Sequence, residues 1–114
     1  MAMAQDLFDL HADVCKTLSS PARLRIIDAL RDRELSAGEI CAAVGARKAN
    51  ISQHLAVMRE RGIVEARRSG TNVYYRLTNP KVVQAFHLMR DVLVEQLAKK
   101  AALLAGSGRS GGPS

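Results

Sequence analysis

The hydrophobic repeat of this chain changes period twice. Up to Gly62 apolar residues recur every three or four positions, from Ile63 to Leu77 they alternate, and beyond Asn79 the helical repeat returns. In the first stretch Leu7, Leu10, Val14 and Leu18 predict a short amphipathic helix over 5–17. Ser20-Pro21 reads as N-cap and first helical residue, because proline lacks only a donor that would be unpaired there. Leu24, Ile26, Ile27 and Leu30 give that second helix an inner side to about Arg33. Ser36-Ala37-Gly38-Glu39 has the spacing of a capping box and opens a third helix, with Ile40, Ala43 and Val44 inward and Gly45 at its end. A fourth helix spans Asn50–Arg61, with Ile51, Leu55 and Met58 inward and Gly62 as its stop.

The alternating stretch holds two short strands, 63–68 and 73–77, around a hairpin turn at Ser69-Gly70-Thr71-Asn72. Asn79-Pro80 repeats the cap-plus-proline signal and starts a long helix whose apolar positions Val82, Val83, Phe86, Met89, Val92, Leu93 and Leu97 make a wide stripe. Residues 105–114 are Gly- and Ser-rich, cannot bury a core and are expected to be a disordered tail, leaving one domain over 1–104. The predicted fold is mainly α with a β-hairpin wing, in the order α-α-α-α-β-β-α. Two consecutive helices joined at a glycine and followed at once by a hairpin form a winged helix-turn-helix.

Composition narrows the function classes. With 114 residues, 47% hydrophobic and 25% charged, the chain is ordinary for a globular protein. It has no apolar run long enough to cross a membrane, its first residues lack a secretory signal, and two cysteines make no disulfide scaffold, so a reduced cytoplasmic setting is expected. The charge is +6 overall but unevenly placed: residues 47–76 hold seven bases (Arg47, Lys48, Arg59, Arg61, Arg67, Arg68, Arg76) against two acids, Glu60 and Glu65. That net of +5 falls on the fourth helix and the hairpin, the footprint of a polyanion partner.

With Ile51, Leu55 and Met58 turned to the core, the other side of the fourth helix offers Arg47, Lys48, Asn50, Ser52, Gln53 and His54. Asparagine and glutamine pair bidentately with adenine, arginine with guanine, and serine with base edges or phosphate, so these are candidate readers of double-stranded DNA. Arg67 and Arg68, with Thr71 and Asn72 at the hairpin tip, are placed for phosphates or a minor groove. Tyr74 and Tyr75 alternate across the second strand, one expected inward and one outward, and read as packing residues. A winged helix can also serve as a protein-interaction module without DNA contact. The +5 block favours DNA. His11, His54 and His87 lie on separate helices, and no nucleophile–base or paired-carboxylate grouping points to an enzyme.

The sequence resembles the ArsR/SmtB family of small winged-helix repressors over about residues 13–95. The resemblance rests on Leu18-Ser19-Ser20-Pro21-Ala22-Arg23-Leu24-Arg25-Ile26-Ile27, on Glu34-Leu35-Ser36 through Val44-Gly45, on Asn50-Ile51-Ser52-Gln53-His54-Leu55 with Arg59-Glu60-Arg61-Gly62-Ile63-Val64, and on Gly70 through Tyr74-Tyr75-Arg76-Leu77. It implies a homodimer built through the first and last helices, an inverted-repeat operator, and release of DNA on binding an inducer. The interface would then use Leu7, Leu10, Val14, Val82, Phe86, Met89, Leu93 and Leu97.

The family's standard sensor positions are not intact. Where arsenite-sensing members carry Cys-x-Cys, this chain has Ser36 and Gly38; where zinc-sensing members carry ligands on the last helix, it has Asn79, Lys81, Val92 and Glu95. Two other groupings remain. Cys15 and Cys41, with His11 one helical turn before Cys15, can take a thiophilic metal(loid) such as arsenite as inducer or undergo redox or sulfur chemistry; the alternative is two buried, structural cysteines. His87, Asp91 and Glu95 share one face of the last helix, either as a second metal set or as a solvated polar stripe. No cofactor beyond such an inducer ion is expected.

Overall fold

The computed structural model describes residues 2–110, with side chains from Asp6 to Gly106. Its elements run α1 (Ala2–Thr17), α2 (Pro21–Ala29), β1 (Leu35–Ser36), α3 (Ala37–Val44), α4 (Lys48–Glu60), β2 (Val64–Ser69), β3 (Asn72–Leu77) and α5 (Lys81–Ser110). The chain divides into two compact units, one ending at Val82 and one starting at Val83, so the span expected as one domain holds parts of both.

Caps named by the sequence hold the first unit's helices. The Ser20 side chain accepts from the Arg23 amide at the start of α2, with Pro21 in the first turn. The capping box on α3 is complete: Glu39 N–H donates to Ser36 Oγ (3.1 Å) and Ser36 N–H donates to Glu39 Oε1 (2.9 Å). Gly45 closes α3 in the left-handed region (φ 72°), where an L side chain would be strained. The second helix is shorter than its repeat implied. It ends at Ala29, and Leu30–Glu34 turn through Asp32 at φ 64°, a position that aspartate tolerates better than most residues.

That early turn releases Leu35-Ser36 into a third strand that the sequence reading lacked. Two residues are too few to show alternation. The sheet order is β1-β3-β2, all antiparallel, with Leu35 opposite Tyr75, Ser36 opposite Tyr74, and Arg67 opposite Tyr74. Ser69 pairs with Asn72, leaving Gly70-Thr71 as a two-residue loop with Gly70 at φ 62° and no positive φ at Thr71, the pattern of a type II′ hairpin turn.

The core of this unit is Ile26, Ile27, Leu30, Leu35, Ile40, Ile51, Leu55, Met58, Ile63 and Val64, all buried. It joins α2, α3, α4 and one face of the sheet, and so fixes the outward face of α4. Ala43, expected inward, is exposed.

The second unit is made by α5 from Val83 onward. Asn79 Oδ1 accepts from the Lys81 amide (2.9 Å), as the cap signal predicted. The helix then continues to Ser110, so residues 105–110, expected in a disordered tail, are helical, and residues 111–114 lie outside the described residues. Glycine costs about 1 kcal/mol relative to alanine in a helix, but extending a helix already formed adds one hydrogen bond per residue without a new nucleus. No described helix is long and apolar enough to cross a membrane.

Candidate nucleic-acid interface

The helix α4 buries Ile51, Leu55 and Met58 and leaves Arg47, Lys48, Asn50, Ser52 and Gln53 exposed. Its first turn differs from those of α2 and α3. Arg47 is the N-cap residue and makes no side-chain cap, so the free amides at this end sit beside two cations instead of a hydroxyl or a carboxylate. Thr71 and Asn72 are exposed at the tip of the wing.

Ion pairing divides the basic block. Arg61 meets Asp13 of α1 at 3.4 Å, and Arg76 pairs with Glu65 across the β2–β3 ladder. Arg67 forms a two-pronged contact with Glu34, Nε to Oε2 at 3.1 Å and Nη2 to Oε1 at 2.8 Å, and its guanidinium carbon lies 5.2 Å from the centre of the Tyr74 ring. Its hydrogen bonds from Arg67 hold the Glu34 carboxyl below its ordinary range, and Arg67 is shifted up in turn. Arg47, Lys48, Arg59 and Arg68 have no ion-pair partner among the described residues.

The two wing arginines therefore differ, although the sequence treats them alike. Strand alternation puts Arg67 with Glu65, Ser69 and Tyr74 on the outer face of the sheet. Arg68 falls on the face that carries buried Val64 farther back, the face turned toward the helices, and its own side chain is exposed beyond the core. Tyr74 and Tyr75 fall on opposite faces of the sheet, Tyr74 on the outer face and Tyr75 on the face turned toward the helices, as the alternation predicts, and both are half-buried. Tyr74 lies against Arg67, and Tyr75 is paired with Leu35.

His54 lies on the flank of the open polar face. It is half-buried, and its Nδ1 accepts from Arg23 Nε at 3.1 Å, while Arg23 Nη1 donates to the Thr17 carbonyl at 3.1 Å. Arg23 and Glu34 are partners of candidate site residues that the sequence reading missed. Each meets its partner more than thirty positions away in the chain, where periodicity carries no information.

The sensor candidates are dispersed. Within the single chain Cys15 is exposed and Cys41 half-buried, and both are free thiols. His11 is exposed. Among the described residues no three His, Cys, Asp or Glu side chains gather to hold a metal ion, so neither His11 with Cys15 and Cys41 nor His87 with Asp91 and Glu95 forms a site within one chain. The His87 ring packs against Phe86, with centroids 5.7 Å apart.

Both expected interface helices carry bare apolar surface. On α1, Leu7, Phe8 and Leu10 are exposed while Val14 is half-buried. On α5, Leu88, Met89, Val92, Leu93, Val94, Leu97, Leu103 and Leu104 are exposed, with Val82 and Phe86 half-buried at its start.

Comparison with known proteins agrees with this architecture. Residues 20–66, from the cap of α2 into β2, match the family model described as bacterial regulatory protein, arsR family. An HTH-type transcriptional regulator of Mycobacterium tuberculosis is 37% identical over 102 residues, covering 89% of this chain and 90% of its own. The biofilm growth-associated repressor of Xylella fastidiosa is 39% identical over 85 residues, 75% of each chain. Among solved structures, that of the transcriptional repressor BigR from Xylella fastidiosa superposes with a TM-score of 0.71 at 35% identity, covering 80% of this chain and 93% of its own. The homodimeric winged helix-turn-helix DNA-binding domain of a Mycobacterium bovis regulator superposes with a TM-score of 0.75 at 36% identity, over 82% and 87% of the two chains. These relatives are transcriptional regulators, not enzymes. A capped helix pair, a hairpin wing and near full-length identity above one-third place this chain in the arsR family of bacterial regulatory proteins.

Proposed function

We propose that the protein is a homodimeric, cytoplasmic repressor that binds an inverted-repeat operator in double-stranded DNA and leaves it when an inducer binds. One observation carries the DNA reading: the cations of the basic block that lack an ion pair include Arg47 and Lys48 at the uncapped start of α4 and Arg68 on the wing. Exposed Asn50, Ser52 and Gln53 between them supply base-edge donors and acceptors. Thr71 and Asn72 add polar contacts at the wing tip. The dimer is supported by the exposed apolar side chains of α1 and of α5, which an interface would cover, and by the homodimeric relative.

The inducer reading rests on the two free thiols. A thiophilic metal(loid) such as arsenite is the proposed inducer, with exposed Cys15 as its first point of attack. Oxidation is the second reading, favoured by an accessible thiol that belongs to no metal-holding cluster among the described residues. The test is fluorescence anisotropy with a labelled random-sequence duplex and with sequences selected from it, at several salt concentrations. Affinity that falls linearly with salt on logarithmic axes, with a preferred palindromic site, supports the repressor; salt-independent or absent binding points to a protein-interaction module instead. Repeating the release step with Cys15→Ser and Cys41→Ser proteins, using arsenite, zinc and a mild oxidant, tests the thiols.

A further inference from the structure

The half-buried His54 of α4 has one ring nitrogen occupied and the other open. Arg23 Nε donates to its Nδ1 at 3.1 Å. The neutral imidazole must then carry its proton on Nε2, since a ring nitrogen that accepts has no hydrogen of its own. Nε2 makes no hydrogen bond within the described residues, and no buried side-chain nitrogen or oxygen there lacks a partner, so Nε2 reaches solvent. Arg23 is itself fixed: its amide donates to Ser20 Oγ, and Nη1 donates to the Thr17 carbonyl at the end of α1.

We propose that Arg23 is a positioning residue for the DNA-reading surface, which by holding His54 in its Nε2–H form aims a single donor at a phosphate oxygen along the groove edge. The proposal rests on the DNA reading given above. A phosphate is favoured over a base edge because of where His54 stands. It follows Gln53 by one helical step of about 100° and lies on the flank of α4, whereas Gln53 lies nearly opposite Ile51 and Leu55, the direction from which a groove floor is reached. A donor fixed before binding loses little rotational freedom when the phosphate arrives.

The experiment begins on the free full-length protein, where long-range 1H–15N correlation at mildly alkaline pH reads the tautomer. The Nε2–H pattern is expected in the wild type, and a mixture of tautomers in Arg23→Met. A dominant Nδ1–H form in the wild type overturns the proposal, whatever the variants do. Binding to a random-sequence duplex and to sequences selected from it then tests the donor. His54→Gln is expected to stay within about twofold of wild type, because its Oε1 can accept from Arg23 while its amide donates, and His54→Leu to lose about tenfold on every sequence. Loss confined to particular base pairs would overturn the phosphate assignment, and no loss in His54→Leu would overturn the donor. A wild type that shows the expected tautomer but binds neither duplex overturns the DNA reading, not the Arg23–His54 lock. The wild-type spectrum and the His54 variants carry the test even if Arg23→Met does not fold.

Discussion

Arg67 and Arg68 are adjacent in the chain, yet the structure gives them different work, and this difference is measurable. Arg68 is exposed on the helix-facing side of the wing and has no ion-pair partner among the described residues; Arg67 is held by Glu34 and Tyr74 on the outer side. If each protomer of a dimer sets one Arg68 on a phosphate, Arg68→Ala removes two phosphate contacts. At about 0.9 in logarithmic salt slope per contact, the dependence should flatten by about 1.8. Between about 50 and 200 mM salt, a fourfold change, the wild-type advantage over Arg68→Ala should therefore shrink about twelvefold. Arg67→Ala should leave the slope nearly unchanged, because its charge is already balanced within the chain. Anisotropy titrations at four or five salt concentrations on one duplex decide the matter. Equal flattening by the two variants, or none by Arg68→Ala, would refute the reasoning that intramolecular pairing sorts these arginines.

Other consequences can be checked independently. Glu34→Gln, which removes the negative member of the Arg67 contact, should raise affinity for any duplex a few-fold in the same assay. Because its hydrogen bonds from Arg67 lower the pKa of Glu34 in the folded state, its contribution to stability is present above its ordinary value of 4.5 and is lost as pH falls through the lowered one; urea midpoints of wild type and Glu34→Gln should converge as the pH is taken below that range. Met58 is fully buried on the inner side of α4, so Met58→Ala should destabilise by about 2–5 kcal/mol in chemical denaturation. Leu93→Glu should yield monomers or aggregates in sedimentation, and a wild type that is monomeric at micromolar concentration would remove the dimer. Gln53→Ala should cost about 1–3 kcal/mol at particular base pairs, read from selected and mutated duplexes.

What was legible in the sequence was local. Ser20-Pro21, Ser36 with Glu39, Gly45 and Asn79-Pro80 each announce their structure within four residues, because caps and left-handed turns are satisfied by near neighbours. The spacing of Ile51, Leu55 and Met58 gave the buried side of α4 and thereby its open side. Pairings between distant segments were not legible. Leu35-Ser36 becomes a strand only because β3 lies beside it, and Arg67 is paired within the chain only because the same short strand brings Glu34 alongside. His54 was grouped with the readers on helical angle, but its position beside Arg23 depends on how α2 crosses α4. The glycines near the C-terminus suggested disorder, yet the backbone of α5 continues through residues 105–110.

Ser36 belongs to two structures at once: it is the last residue of β1, opposite Tyr74, and the N-cap of α3. No spacer separates β1 from α3, so the sheet is tied directly to the helix pair at this edge. Bending the wing away from the helices would require breaking either the β1–β3 backbone pairing or the capping box. On the proposed reading, a signal that releases DNA can leave each reading head intact and change the distance or angle between the two heads of a dimer. Because half-sites are spaced by the turn of the double helix, a small rigid displacement of this kind would put the second head out of phase with its groove while the first still fits.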